Sequence, residues 1–159
     1  MPKEIERKFL VDQNQLNLPI QGNDIKQGYL PLSKNVKTVV RVRIKNDKAY
    51  LTIKGENIGS VRSEFEYEIP VDEGIEMLET LCQSPIIEKT RYEIPQGNHV
   101  WEIDVFHGDN DGLIIAEIEL SKEDEDFDVP IWIKEEVTNN TKYYNSSLLE
   151  KPYKTWNAT

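Results

Sequence analysis

The segment EIERKFL (4–10) places Glu4, Glu6 and Lys8 at alternate positions. An extended chain points successive side chains to opposite faces, so these three share one face while Ile5, Arg7 and Phe9 share the other. Two carboxylates placed this way repel each other unless a basic neighbour or a metal ion lies between them. The pattern recurs along the chain, with Arg41 and Arg43 sharing a face, then Lys54 with Thr52, then Arg62, Glu64, Glu66 and Glu68. Later it returns with Lys89 and Arg91, Glu102 and Asp104, and Glu117 and Glu119. Carboxylates are the donors that Mg²⁺ and Mn²⁺ prefer, and such ions keep waters and phosphates as their remaining ligands. Arginine and lysine suit phosphate oxygens, and an arginine can engage two at once.

Two arrangements place these faces. In the ordinary one, an open sheet or sandwich turns its charged side to water. In the other, a closed barrel turns it inward, with basic walls from Lys8, Arg41, Arg43, Lys54, Arg62, Lys89 and Arg91 and acidic walls from Glu4, Glu6, Glu64, Glu66, Glu102, Asp104, Glu117 and Glu119. A wet face carries Thr, Ser and Gln among mixed charges, whereas this one carries ions at nearly every position, in pairs of like sign. Charges buried at that density cost several kcal/mol each unless matched, so the inward arrangement demands ligands: a polyphosphate for the basic walls and divalent cations for the acidic ones. Other chemistries fit poorly. There is no Gly-x-x-x-x-Gly-Lys loop, no cysteine pair and no Gly-x-Ser-x-Gly turn. The two histidines, His99 and His107, lie beside turn sequences and read as exposed or structural, and Cys82 reads as core.

The elements that must position these residues are strands. Period-two alternation punctuated by turn residues predicts strands over 3–11, 25–32, 37–46, 48–55, 61–70, 87–95, 99–107 and 113–121. Eight strands suffice to close a barrel, so the expected fold is mainly β: an eight-stranded antiparallel barrel around a charged tunnel, with a few peripheral helices. Asp72 is placed to cap a helix over 73–82 with Ile75, Leu78, Leu81 and Cys82 on its buried face, and a second helix is expected over 145–151, with Asn145 or Ser146 as its cap. Residues 122–136 (KEDEDFDVPIWIKEE) read as a solvated acidic loop whose Phe127, Ile131 and Trp132 fold back on the barrel.

The chain of 159 residues fits one domain over 1–159, and its formal net charge of −10 argues against general binding to nucleic acid or anionic membranes. No apolar run approaches the roughly 18 residues a membrane span needs, and no signal peptide is visible. A single cysteine excludes an internal disulfide and agrees with a reducing cytoplasm.

The same residues resemble the CYTH superfamily, the triphosphate tunnel metalloenzymes, which include inorganic triphosphatases, thiamine triphosphatases and class IV adenylate cyclases. EIERKFLV is similar to their N-terminal Glu-x-Glu-x-Lys signature. The resemblance continues in order through QGYL (27–30), RVRI (41–44), LTIKG (51–55), VRSEFEYEIP (61–70), EKTRY (88–92), WEIDVF (101–106), AEIEL (116–120) and YYNSSL (143–148). It implies Mg²⁺ or Mn²⁺ held by Glu4, Glu6, Asp104, Glu117 and Glu119, with Glu64 and Glu66 serving a second metal or holding basic residues. It also implies a triphosphate held by Lys8, Arg41, Arg43, Lys54, Lys89 and Arg91, joined by Arg62 on the same basic wall. Tyr29 is expected to pair with Lys54, and Lys54 or a second metal to activate the attacking water. The implied reaction is hydrolysis of inorganic triphosphate to pyrophosphate and phosphate by a monomer or homodimer. Alternatives are a thiamine or nucleoside triphosphatase, with Trp132 or Trp156 stacking the ring, a class IV adenylate cyclase making cyclic AMP from ATP, or a module that binds a triphosphate without turnover.

Overall fold

The computed structural model describes residues 3–156. Its strands are β1 (Lys3–Val11), β2 (Asn23–Tyr29), β3 (Val39–Lys45), β4 (Lys48–Lys54), β5 (Val61–Ile69), β6 (Ile87–Gln96), β7 (His99–Phe106), β8 (Ile114–Glu119) and β9 (Ile133–Glu136). The helices are α1 (Val71–Thr80) and α2 (Asn145–Leu148). The sheet runs β5-β4-β3-β2-β6-β7-β8-β1-β9, and a further antiparallel pairing of β5 with β1 closes eight strands into a barrel. The closure follows from β-branched and aromatic residues alternating with charged ones, as in VVRVRIK of β3. Register is set by short turns such as Asn46-Asp47, where Asn46 takes the positive φ of 55° that a two-residue hairpin needs.

β1 is the seam. Its first residues pair with β5 and its middle with β8, and beyond the reach of β5 its free edge is taken by β9, which pairs Phe9 with Glu136 and Val11 with Ile133. Residues 122–136 are therefore an acidic strap ending in a strand, where the sequence predicts a loop throughout. Phe127 and Trp132 of the strap pack against Phe9 and Trp101 in an apolar cluster outside the barrel, and Ile131 points to solvent instead of folding back.

A second cluster fills one end of the barrel interior, where Tyr29, Ile87, Phe106 and Ile115 meet Leu148 and Leu149 from the C-terminal segment. That segment turns the tunnel into a blind cavity. α1 begins two residues before the expected start, after Pro70, and no side chain caps it. Its buried side is Gly74 and Leu78; Ile75 and Leu81 are exposed, because the helix lies on the sheet through Gly74, which meets Ala49. α2 is one turn long, shorter than expected. Among the described residues no helix is long and apolar enough to cross a membrane.

Candidate active site

Strand alternation turns the charged faces inward. Lys8 of β1 stands opposite Glu117 of β8, Glu6 opposite Glu119, and Glu117 in turn opposite Glu102 of β7. Across the seam Glu4 faces Arg62, and Lys54 of β4 faces Glu64 of β5. These residues border one cavity of about 330 Å³, whose walls also carry Tyr29, Arg41, Arg43, Glu66, Lys89 and Arg91. Both histidines lie off this wall: His99 meets Glu125 of the strap, and His107 meets Thr90 Oγ1 at 2.8 Å.

The one expected site residue that does not reach the cavity wall is Asp104. It is wholly buried, and its two oxygens receive Lys89 Nζ and Arg91 Nε at 2.7 Å each and Arg91 Nη2 at 2.9 Å. These bonds commit the carboxylate to holding two cations in place. Tyr29 and Lys54, expected as a pair, do not meet. They sit on β2 and β4 with β3 between them, since Tyr29 pairs with Arg41 and Lys54 with Val39. The Tyr29 hydroxyl accepts from Gln27 Nε2 at 2.8 Å. The Lys54 ammonium lies 3.1 Å from each oxygen of Glu4 and 3.3 Å from Glu64 Oε2. The Glu64 contact is poorly aligned, so that this buried oxygen has no well-directed donor.

On the basic wall, Arg41 Nη2 reaches Thr52 Oγ1 at 3.3 Å and Glu66 Oε2 at 3.4 Å, while its buried Nε has no hydrogen-bond partner among the described residues. Arg62 Nε donates to the Gly55 carbonyl at 3.0 Å. Burial, reinforced by Arg41 and Arg91, pushes Arg43 down to about 9, still a cation at neutral pH. Burial likewise pushes Lys89 down to about 7, with Asp104 opposing and Arg91 and Arg43 assisting. Burial would also lower Lys8, but Glu117 and Glu6 outweigh it and raise the ammonium.

The acidic wall is built of carboxyl pairs. Burial, and then Glu117, push Glu6 well above the usual carboxylate range, whereas Glu117 is held well below it by Lys8 and the hydrogen bond from Glu6 despite its own burial. Glu4 is raised by burial and by its hydrogen bond to Glu64, and Glu64 is lowered by that same bond and by Lys54 in spite of burial. In each pair burial and the neighbouring carboxyl push one member up while nearby cations hold the other down. Glu119 is raised by partial burial and by Glu4 and Glu102 nearby.

Two uncharged residues join the site without being expected there, Asn145 reading in the sequence only as a candidate helix cap. Gln27, fully buried, accepts from Arg43 Nε at 2.8 Å and donates to Asn145 Oδ1 at 3.0 Å. Asn145 Oδ1 also accepts from Lys89 Nζ at 2.9 Å. Parity places Gln27 on the tunnel face with Tyr29, and QGYL and YYNSSL contain both amides, yet no charge marks them.

The CYTH domain matches residues 2–153. The chain belongs to the CYTH family. It is 49% identical over 154 residues to a protein of Acetivibrio thermocellus named inorganic triphosphatase, covering 97% of each chain. An inorganic triphosphatase of Nitrosomonas europaea is 36% identical over 152 residues, covering 91% of this chain and 95% of that one. The crystal structure of an inorganic triphosphatase superposes with a TM-score of 0.65 at 33% identity, covering 94% of this CYTH chain and 95% of the other.

Among the described residues no three carboxylate, histidine or cysteine side chains converge as a finished metal cage. The donors nonetheless fit a hard divalent cation. Glu6 beside Glu117 and Glu4 beside Glu64 are like groups that raise one another's proton affinity, the situation a dication relieves by neutralising both. On this CYTH domain the candidate metal ligands are thus Glu4, Glu6, Glu117 and Glu119, with Glu64 and Glu66 beside them.

Proposed function

We propose that this chain is a divalent-metal-dependent triphosphatase that splits inorganic triphosphate into pyrophosphate and phosphate. The observation that carries the reading is one cavity of about 330 Å³ in which arginines and lysines face paired carboxyls. The relatives' name, inorganic triphosphatase, points the same way. Trp132 packs edge-on against Trp101, and Trp156 against Tyr143 and Tyr153, so both tryptophans are occupied in packing. This favours inorganic triphosphate over thiamine or nucleoside triphosphates.

Phosphoryl transfer asks mainly for positioning and for neutralisation of phosphate oxygens. Lys8, Arg41, Arg43 and Arg91 supply fixed cations, and the partnerless Arg41 Nε is a buried donor that a phosphate oxygen satisfies. Asp104 acts through Lys89 and Arg91 as a positioning residue. Lys54, held between Glu4 and Glu64, acts as a phosphate ligand rather than as the base expected from sequence. Glu4, Glu6, Glu117 and Glu119 would hold Mg²⁺ or Mn²⁺, which when bound would supply further charge neutralisation and lower the pKa of a water. Water oxygen bonds to the terminal phosphorus, the bridging P–O bond breaks with its electron pair going to the leaving pyrophosphate, and the water's proton passes to solvent or to a product phosphate oxygen.

The test is phosphate release from inorganic triphosphate, ATP and thiamine triphosphate with Mg²⁺, with Mn²⁺ and with chelator, following cyclic AMP in the ATP reactions. Release should be fastest from inorganic triphosphate and absent in chelator. In Glu4→Gln and Glu119→Gln it should fall about a hundredfold or more, since changes outside the ligand set already cost 10–100-fold. Undiminished release in chelator, or cyclic AMP as the main product from ATP, overturns the reading.

A further inference from the structure

The blind end of the tunnel holds a hydrogen-bond chain whose polarity can be deduced atom by atom. A guanidinium only donates, so the Gln27 atom that meets Arg43 Nε at 2.8 Å is its carbonyl oxygen. The Gln27 amide nitrogen then faces the Tyr29 hydroxyl at 2.8 Å and Asn145 at 3.0 Å, spending both of its hydrogens. An amide nitrogen only donates, so the Asn145 atom 3.0 Å from Gln27 is Oδ1, which also accepts from Lys89 Nζ at 2.9 Å. Both of its lone pairs are used. The amide of Asn145 therefore cannot flip, and Nδ2 has no partner among the described residues although Asn145 borders the cavity. The Tyr29 hydroxyl, already accepting, likewise keeps its own proton to donate. Of the carboxylates near this end, Asp104 is engaged by Lys89 and Arg91, and Glu117 faces the Lys8 ammonium at 3.9 Å. Asn145, Tyr29 and Arg43 all border the cavity and together bring it an amide N–H, a phenol O–H and a guanidinium, a set of donors suited to an anion.

We propose that Asn145 binds a phosphoryl group at the closed end of the tunnel through its side-chain N–H, and that Gln27 is the positioning residue that aims Asn145, Tyr29 and Arg43 at that group. The proposal rests on the triphosphatase reading above and deepens it. The ligand is a tetrahedral oxyanion, either the terminal phosphoryl of the triphosphate or free orthophosphate. It makes the C-terminal segment part of the binding site and gives a role to two uncharged residues.

A merely structural Asn145 would tolerate Asp, whose carboxylate still accepts from Lys89 and Gln27. A donor would not. We expect Asn145→Asp and Asn145→Ala each to raise KM for inorganic triphosphate about tenfold or more, the cost of one hydrogen bond to a charged group, with kcat less affected. Wild-type KM in either folded variant overturns the proposal. A second measurement needs no variant: the side-chain amide signal of Asn145 in the nitrogen-15 spectrum of the wild-type chain, in chelator, titrated with inorganic triphosphate and separately with orthophosphate. Movement with triphosphate alone assigns the substrate's terminal phosphoryl, and movement with both assigns an oxyanion site that also takes product. If the arginine side-chain signals move and that of Asn145 does not, the proposal falls while the triphosphatase reading stands. If no tunnel signal moves and wild-type protein releases no phosphate with metal, the triphosphatase reading itself has failed.

Discussion

Replacing Asp104 by Asn separates the two roles that the sequence and the structure give this carboxylate. The substitution keeps the shape but removes the charge and turns one oxygen into a donor facing cations. Lys89 and Arg91, 2% and 8% exposed, would lose a partner that now makes three bonds of 2.7–2.9 Å. Breaking a buried ion pair by removing one partner costs about 3–5 kcal/mol. For a chain of this length about 2–4 °C of melting temperature corresponds to each kcal/mol, so the midpoint should fall by roughly 6–20 °C. The assay is thermal unfolding followed by circular dichroism in chelator, so that no metal contributes. Asp104→Asn with Lys89→Met should regain part of the loss, because it removes one stranded cation. Glu119→Gln, on an exposed carboxylate, should stay within about 2 °C of wild type. If Asp104→Asn melts within about 2 °C of wild type in chelator and is weakened only when Mg²⁺ is present, Asp104 is a metal ligand and the anchoring role assigned here is refuted.

The carboxyl pair gives a pH dependence with a definite sign. Glu6 is raised by folding, so its contribution is full below the ordinary carboxylate pKa and is lost as pH rises through its raised value; in chelator the melting temperature should drop over that range, Glu6→Gln should flatten the drop, and an unchanged profile in the variant would count against the raised Glu6. Gly74→Ala should lower the melting temperature although alanine is the better helix former by about 1 kcal/mol, because its Cβ would lie 2.7 Å from the Ala49 Cβ; a higher melting temperature would mean that α1 lifts off β4 freely.

Charged tunnel residues were legible because a strand's period of two sorts them without knowledge of any partner: Glu4, Glu6 and Lys8, or Arg41 and Arg43, declare a shared face from their spacing alone. Features set by contacts between distant segments were not legible. β9 exists because β5 covers only the start of the β1 edge, which the acidic run KEDEDFDVPIWIKEE gives no sign of. Gln27 and Asn145 lie 118 positions apart and carry no charge, so that neither composition nor parity marks their contact. The Tyr29–Lys54 pair came with the family resemblance, and the register of β2, β3 and β4 sets the two side chains apart. The start of α1 was misplaced because Asp72 is a good capping residue type, whereas Pro70 ends β5 and opens the helix directly.

In the proposed reaction one cavity holds phosphate on its basic wall and a divalent ion on its acidic wall. A crystal of the chain soaked with Mn²⁺ and inorganic triphosphate, measured for the anomalous signal of manganese, tests it most directly. The account predicts a manganese peak inside the barrel beside Glu6 and Glu117, with phosphate density between it and Arg41, Arg43 and Arg91. A manganese peak only outside the barrel, or phosphate density away from those arginines, would contradict it.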